Sequence, residues 1–538
     1  MFNIPFLKNG VVKAAAISCF CFLGLFLFAQ EQPEPQQMNV LMIAIDDLKT
    51  VGSVYADEDG DFLRHVYPDQ QLRSEVAFRM TPNLKRLACK SITFTSAYCA
   101  SPACNPSRAA LMTGIRPHES GMTTNAGAVF FREWEYEGAR PLAEATTIPE
   151  LLKANGWYTA STGKIYHSGS NYAKSDGARS WTQWTNVSGG AGNKVRALYS
   201  PESLDWGQEG NDSATYTGLN DYRKADFIAE LLENGTATRN GDTFTLPEGQ
   251  PFFIAAGIFR PHLPFYATKD LIDLFPVEEM TADQNLLNYF IEDGRDLPSE
   301  ALTLAGVTLD AEGNPIIGSD RFVDILIHGD SIDAETGRFD GWKDMLRHYF
   351  ASCAIADRAI GRLMEGLKNS AYADNTIVIL WSDHNYHLGE KLHETKFTLW
   401  DDGARVNFLV HDPRFPENHG ARCSKPVGLV DIYPTVAAIA GVEPPSDDRI
   451  TGFDLNPLLA NPHADWSGYA LTTFRNVNTH MFRTQRYKLI QYDSNPEQIE
   501  LYDMVNDPEE YHNLALIPAY SEILESMMTQ LNQALGID

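Results

Sequence analysis

The chain has 538 residues, 43% of them hydrophobic, which is enough to bury a large core and too apolar for a disordered protein; one large domain with a smaller companion is expected. A formal net charge of −28 leaves no basic face for phosphate backbones and excludes nucleic acid as a partner. The same acidity means that an anionic ligand needs a local cluster of cations, so Lys, Arg or His residues near the centre are informative.

At the N-terminus, Lys8 and Lys13 precede an apolar run from Ala14 to Phe28, followed by Ala29 and the polar stretch Gln30 to Gln37. The pattern reads as a signal peptide over 1–29, with export to the periplasm or the medium. The run is short for a membrane span, so no stable membrane insertion is expected. Cys19 and Cys21 lie inside it, against a lipoprotein. Beyond it remain Cys89, Cys99, Cys104, Cys353 and Cys423. Their odd number suggests one thiol with a separate fate, and Cys104 is the candidate. Pairing among the other four is left open.

Asn39 to Ile45 is an almost continuous apolar run, as in a strand buried on both faces. It delivers Asp46 and Asp47 to its carboxyl end, the edge where open α/β sheets bind ligands. Adjacent like charges there call for solvent or a bridging divalent cation, unless Asp47 is a helix N-cap. Thr81-Pro82 opens a helix toward Leu87, and Ile92 to Phe94 reads as a strand. In Cys104-Asn105-Pro106-Ser107-Arg108, Pro106 suits the first position of a helix that Ala109 to Thr113 continue and Gly114 ends. Cys104 and Asn105 then lie at the helix mouth, where free N–H groups and the dipole favour negative charge, and Arg108 adds a cation one turn in. A thiol in that field is reactive or a substrate for a modifying enzyme. A structural cysteine is the plainer alternative.

Thr147 to Asn155 reads as a short helix, and Tyr158 to Thr162 as a strand delivering Lys164 and His167. From Ser168 to about Gly218 the composition fits a surface excursion, in which Trp184 or Trp206 either stacks on a sugar or packs beneath the loop. Pro251 to Ile258 is the next buried strand; Pro261 and Pro264 then hold His262 in a rigid turn. Phe275 to Phe339 reads as a second polar insertion with little periodicity. Lys343 to Lys368 spaces Met345, Tyr349, Ile355, Ile360, Leu363 and Leu367 as a helix covering a sheet. Asn375 to Trp381 is a third buried strand, ending in Asp383 and His384, before a loop with His387, His393 and Lys396. Val406 to Val410 is a strand and Leu429 to Gly441 a helix. After the linker at 444–448, short antiparallel strands and a helix from Tyr520 to Leu535 form an α+β subdomain.

Three strand ends thus carry polar groups suited to charged chemistry. Asp46, Asp47 and Asp383 offer hard oxygen ligands and His384 an imidazole, a set for Ca²⁺ or Mg²⁺; zinc would require His387 and His393 to join.

The stretch from Cys104 to Gly114 resembles, throughout, the activation segment of the formylglycine-dependent (type I) sulfatases. The likeness runs from about Asn39 to Asn513 and includes Asp46-Asp47, Gly163-Lys164 with His167, His262 after Pro261, Asp383-His384, Lys396, and Leu501-Tyr502-Asp503 through Asp507-Pro508-Glu509. Many members carry Asn where this chain has His384. That histidine, with Arg260 to Phe265 and Leu388-Gly389-Glu390, resembles the iduronate-2-sulfatase branch.

The resemblance implies an α/β fold, with an alkaline-phosphatase-like mixed sheet sandwiched by helices over 38–443 and a smaller C-terminal α+β subdomain over 449–538. It implies that a formylglycine-generating maturation enzyme oxidises Cys104 to 3-oxoalanine, and that Asp46, Asp47, Cys104, Asp383 and His384 bind one Ca²⁺. It places catalysis on Cys104, Arg108, Lys164, His167, His262 and Lys396. The metal and Arg108 would stabilise the nucleophilic oxygen, while Lys164 and Lys396 neutralise sulfate oxygens. His262 would protonate the leaving alcohol and His167 take the proton when the hydrate collapses, roles that are exchangeable. The expected substrate is a sulfated glycan, with a 2-O-sulfated uronic acid as the candidate sugar. A phosphomonoesterase or phosphodiesterase on the same scaffold would instead show Ser or Thr at 104 and further metal-ligating His and Asp. An inactive glycan-binding relative would have lost parts of this constellation, and none is lost.

Overall fold

The computed structural model describes residues 37–537, apart from 59, 126–128, 168–175, 188–192, 213–214, 216, 311–314 and 317–320. The expected signal peptide lies outside the described residues. At the centre is β1 (Asn39–Asp46), whose aliphatic residues from Val40 to Ile45 are wholly buried. A run without polar alternation can only be satisfied by cover on both faces. The eight-stranded sheet is completed by β2 (Ile92–Phe94), β3 (Tyr158–Gly163), β4 (Gln183–Thr185), β5 (Phe252–Pro261), β6 (Thr376–Ser382), β7 (Phe408–His411) and β8 (Arg422–Cys423). Their order is β8-β2-β7-β6-β1-β5-β3-β4, with β7 alone antiparallel to its neighbours.

Register decides what meets at the carboxyl edge. Ile45 lies opposite Ser382 on one side and Ile258 on the other, and Gly257 lies opposite Gly163. Asp46, Asp383, His262 and Lys164 therefore leave the sheet at one edge. The register shifts between Ile45 and Asp46, which brings Asp46 opposite Pro261; such an irregularity re-aims the side chain that follows.

The helices that matter for the site are α1 (Cys104–Thr113), α2 (Ile148–Ala154), α3 (Asn220–Asn234), α4 (Gly337–Lys368), α5 (Ile432–Ala440) and α6 (Ser521–Ala534). Thr147 and Glu150 form a reciprocal capping box at the start of α2. α4 packs on β5 alongside α3, and α5 packs against α1 and α2. None of the helices among the described residues is long and apolar enough to cross a membrane. The cysteines at 89, 99, 104, 353 and 423 are all free.

Two expected loops contain ordered structure. The segment expected to be a polar insertion holds helices at Gln284–Asp293, Ser299–Ala305 and Arg321–Ile332. Asp283 caps the first of them by accepting the N–H groups of Asn285 and Leu286, and Leu286, Leu287 and Phe290 are its buried face. The exposed faces are mostly uncharged polar side chains such as Gln284, Asn285, Asn288, Ser299 and Thr303, which hide this periodicity in composition. In the earlier excursion, Trp206 is fully buried and its Nε1 donates to Asp344 Oδ2 at 2.8 Å, so it packs beneath the loop and is not a sugar platform.

Toward the C-terminus β9 (Ala470–Thr473), β10 (His480–Arg483), β11 (Tyr487–Gln491) and β12 (Ile499–Asp503) form an antiparallel sheet in that order. α6 covers it through Met527 and Leu531, which join Leu471, Phe482, Leu489 and Leu501 in a separate small core. Thr473 N–H to Ala100 O at 2.9 Å and Thr472 Oγ1 to Cys99 O at 2.6 Å tie this sheet to the segment preceding Cys104. The whole is the mixed α/β architecture with a small C-terminal sheet that the resemblance implies.

Gly163 sits at φ 79° against β5, where an added Cβ would fall 2.0 Å from Gly257 O. Gly163→Ala is expected to lower the unfolding free energy by about 2–4 kcal/mol through combined strain and overpacking. Gly156, at φ 84° with open space around it, serves as the control: Gly156→Ala should cost only about 1 kcal/mol. Urea midpoints of the two variants decide this, and equal losses would refute the close-approach account.

Candidate active site

Asp46 ends β1, and Asp47 follows with φ 58°, a conformation that needs outside support in a residue other than glycine. The support is visible. The Asp47 N–H donates to Asp383 Oδ1 at 3.1 Å, and its carbonyl accepts Tyr349 Oη from α4 at 2.8 Å. Tyr349 Oη also accepts the Lys49 N–H at 2.9 Å.

The helix α1 starts at Cys104 itself, with Ala103 as its N-cap, so Pro106 is the third helical residue and not the first. Proline is accepted there because N–H groups throughout the first turn have no intrahelical acceptor. Gly114 closes the helix at φ 73°. Every residue of α1 is buried, and Ser107 Oγ donates to Asp383 O at 2.6 Å.

Arg108 is completely buried, a position that a guanidinium occupies only when its N–H groups are matched. Its Nε donates to Asp383 Oδ2 at 2.8 Å and its Nη2 to Asp46 Oδ1 at 3.0 Å. Nη1 donates to the carbonyls of Lys164 at 2.6 Å and Ile165 at 3.2 Å. One side chain thus joins the ends of β1, β3 and β6.

The other cations lie toward Cys104. The Lys164 ammonium pairs with Asp46 Oδ2. Lys396 Nζ donates to both Asp47 oxygens, at 2.8 and 3.0 Å, and lies 3.2 Å from Cys104 Sγ. Thr395 and Phe397 on either side of Lys396 have φ 103° and 82°, a strained loop whose carbonyl at Lys396 lies 2.7 Å from His393 Nε2. His384 Nε2 is 3.2 Å from both Cys104 Sγ and Asp47 Oδ1, and its Nδ1 is 2.9 Å from Asn385 O. The carbonyl assigns the Nδ1 proton and frees Nε2 to act as a ligand. His262 follows the same pattern, with Nδ1 2.7 Å from Leu263 O and Nε2 3.9 Å from Asp47 Oδ2. His167 lines a pocket with Lys164 and His262.

Burial alone would raise the Cys104 thiol, but Lys164, Lys396 and His384 reverse this and hold it well below its ordinary value. Burial likewise works against an ionised Asp46, and Lys164, His262 and Arg108 together more than offset it, leaving that carboxyl below the usual range. For Lys396, burial is overcome by Asp47 and then Cys104, which keep the ammonium charged.

Asp46, Asp47, Cys104, Asp383 and His384 each bring one ligand atom within 4.8 Å of the others. Three carboxylates and an imidazole fit a hard divalent cation. His387 and His393 do not join this cluster. His387 bonds Thr398 Oγ1 at 2.6 Å and groups with Glu390 and Asp402, where the Lys49 ammonium already lies 2.7 Å from Glu390. His393 is held between the carbonyls of Ala305 and Lys396. The zinc alternative therefore lacks the two histidines it required. Tyr349, which holds Asp47, was not expected at the site; within α4 it has the same spacing as a packing residue, and nothing local marks its hydroxyl.

The profile of the family described as sulfatase matches residues 39–442. The chain belongs to the sulfatase family. A second profile, described as N-sulphoglucosamine sulphohydrolase, C-terminal, matches residues 389–535 of this sulfatase. A sulfatase from Formosa agariphila is 28% identical over 486 residues, covering 89% of this chain and 83% of its own. Human iduronate 2-sulfatase is 26% identical over 452 residues, covering 77% and 71%. A protein solved in complex with its substrate D-glucosamine-2-N,6-O-disulfate shares the fold at TM-score 0.65 and 22% identity, over 93% of this chain and 97% of that one. The phosphonate monoester hydrolase of Agrobacterium radiobacter shares it at 0.63 and 18%, over 92% and 95%. The sulfatase is a sulfuric ester hydrolase of the formylglycine-dependent type, in a family that generally works with a bound metal ion.

Arg108→Met leaves two buried carboxylates without their shared counter-charge, and a loss of about 3–5 kcal/mol in unfolding free energy is expected. Arg108→Lys should recover little of it, since one ammonium cannot span both carboxylates and two carbonyls. Chemical denaturation of both variants measures this; near-wild-type stability of Arg108→Lys would show that charge alone suffices.

Proposed function

We propose that this sulfatase is exported and removes sulfate from a sulfated glycan, with a 2-O-sulfated uronic acid as the sugar. The observation that carries the chemical part is Cys104 at the first position of a buried helix, within 3.2 Å of both Lys396 Nζ and His384 Nε2. Support for the sugar comes from the likeness to the iduronate-2-sulfatase branch and to the human enzyme of that name. Support for export comes from the charged-then-apolar pattern over 1–29.

Matured by a formylglycine-generating enzyme, position 104 supplies a hydrated aldehyde whose oxygen is a stronger nucleophile toward sulfur than the thiol. One Ca²⁺, held by Asp46, Asp47, residue 104, Asp383 and His384, supplies fixed positive charge at the same place. The chain's own side chains do the rest. Lys396 and Lys164 neutralise the sulfate oxygens, where preorganised cations act most strongly in a water-poor site. His262 donates Nδ1–H to Leu263 O. Burial works against a second proton, but Asp47 and Asp46 more than offset it, so the imidazolium carries that proton on Nε2 and gives it to the leaving alcohol. His167, in the same pocket, removes the proton from the hydroxyl of residue 104 when the aldehyde is restored. We assign Arg108 to positioning Asp46 and Asp383, given that those carboxylates and two carbonyls occupy its N–H groups.

A phosphonate monoester, the substrate class in the name of one fold neighbour, is the second reading, because the cation cage would accept any tetrahedral oxyanion. Matured protein assayed on an aryl sulfate and an aryl phosphonate separates the two readings, and faster turnover of the phosphonate would reverse their order. Cys104→Ala is expected to lose at least about a thousandfold in sulfate release while melting close to wild type. Retained activity in that variant would contradict the mechanism. Metal analysis after exhaustive dialysis should return one calcium per chain, and stoichiometric zinc without calcium would overturn the metal assignment.

A further inference from the structure

Beside Cys104 a pocket of about 340 Å³ is lined by Lys164, His167, Asn186, Lys224, Phe259 and His262, together with Gly163. It has two lysines and two histidines and, among the described residues, no carboxylate, in a chain with 71 acidic residues. Lys164 is matched by Asp46. Lys224 is matched more loosely, by Asp221 at 3.6 Å.

Lys224 projects from the first turns of α3 and is buried to all but 8% of its surface. Its stem lies over Gly163, where a Cβ built on the glycine would come within 3.1 Å of Lys224 Cδ. Its ion-pair partner is Asp221, with Oδ1 3.6 Å from Nζ, in salt-bridge range but beyond hydrogen-bonding distance. Asp221 is itself engaged: its oxygens accept the N–H groups of Phe259 at 3.0 Å and Arg260 at 2.8 Å, which fixes the end of β5. The ammonium thus keeps its hydrogen-bonding capacity for a ligand in the pocket that its side chain lines.

We propose that Lys224 is a specificity-determining residue that binds a second anionic group of the sugar, a carboxylate or an additional sulfate, next to the sulfate being cleaved. The proposal rests on the sulfated-glycan reading above and extends it. Lys164 and Lys396 are committed to Asp46 and Asp47 at the reacting end, whereas Lys224 lines the same pocket from α3 with only a 3.6 Å ion pair to Asp221 and no hydrogen bond to it. A charge-assisted contact with an anionic substituent would both satisfy the ammonium and orient the ring.

The test reads binding without turnover, in the full chain carrying Cys104→Ala. Calorimetric affinities are measured for two ligand pairs: a 2-O-sulfated uronic acid glycoside against its carboxyl-reduced counterpart, and a disulfated hexosamine against the monosulfated one. At least one pair should show about a tenfold or greater preference for the more anionic member. The pair that shows it identifies the carboxylate or the sulfate as the recognised group. Adding Lys224→Met should bring that ratio below about twofold, and Lys224→Arg should keep most of it; Lys224→Gln replaces the Met variant if that one melts early. A ratio that survives removal of Lys224, or no preference in either pair, overturns the proposal. Sulfate release by matured wild-type protein is scored separately. Release without any preference rejects Lys224 alone, while preference without release rejects the sulfatase mechanism and leaves the Lys224 subsite standing.

Discussion

A single buried guanidinium couples everything else in the centre. Arg108 bonds Asp46 and Asp383 and two carbonyls at the end of β3, so three separate strands close on one side chain. Cys104 precedes Arg108 by one helical turn and lies on the same side of α1. The helix therefore cannot rotate to move Cys104 without breaking the bridge. Buried ion pairs contribute little net stability against an apolar alternative. Their value here is positional, because the carboxylates that face residue 104 are fixed relative to the helix that carries it.

Around that bridge the charges form two layers. In the inner layer each carboxylate has a partner: Asp46 has Arg108 and Lys164, Asp47 has Lys396, and Asp383 has Arg108. The outer layer, made by His167, His262 and Lys224, carries no matching acid in the pocket lining. A compensated interior is what folding demands of buried ions, and a rim whose lining holds cations without carboxylates is what an anionic ligand requires.

Much of this was legible in the sequence because the strands are covered on both faces. Continuous apolar runs at Val40, Ile254 and Val378 announce such strands, and the polar residues that follow each run mark the functional edge. Register was not legible, since pairing Ile45 with Ser382 and Ile258 depends on long-range packing. The helices within 284–332 were missed because their exposed faces carry loop-like polar residues such as Asn285, Asn288, Ser299 and Thr303, and composition averages over both faces. Tyr349 and Lys224 were missed for a different reason. Each lies on a long helix with a periodic apolar face, and only the tertiary contact shows that a hydroxyl reaches Asp47 or an ammonium reaches the pocket.

A net charge of −28 opposes the approach of an anionic sulfate ester, yet the geometry removes the conflict. Exposed acids are screened within about 8 Å at physiological ionic strength, so they contribute little inside a pocket whose own lining contains no carboxylate. The buried acids at the site, Asp46, Asp47 and Asp383, are each neutralised by a contacting cation before any ligand arrives. What a sulfated sugar meets is therefore the local sum and not the global one. Net acidity keeps the chain soluble, and the pairing of the inner carboxylates is what allows that acidity to coexist with a site for sulfate.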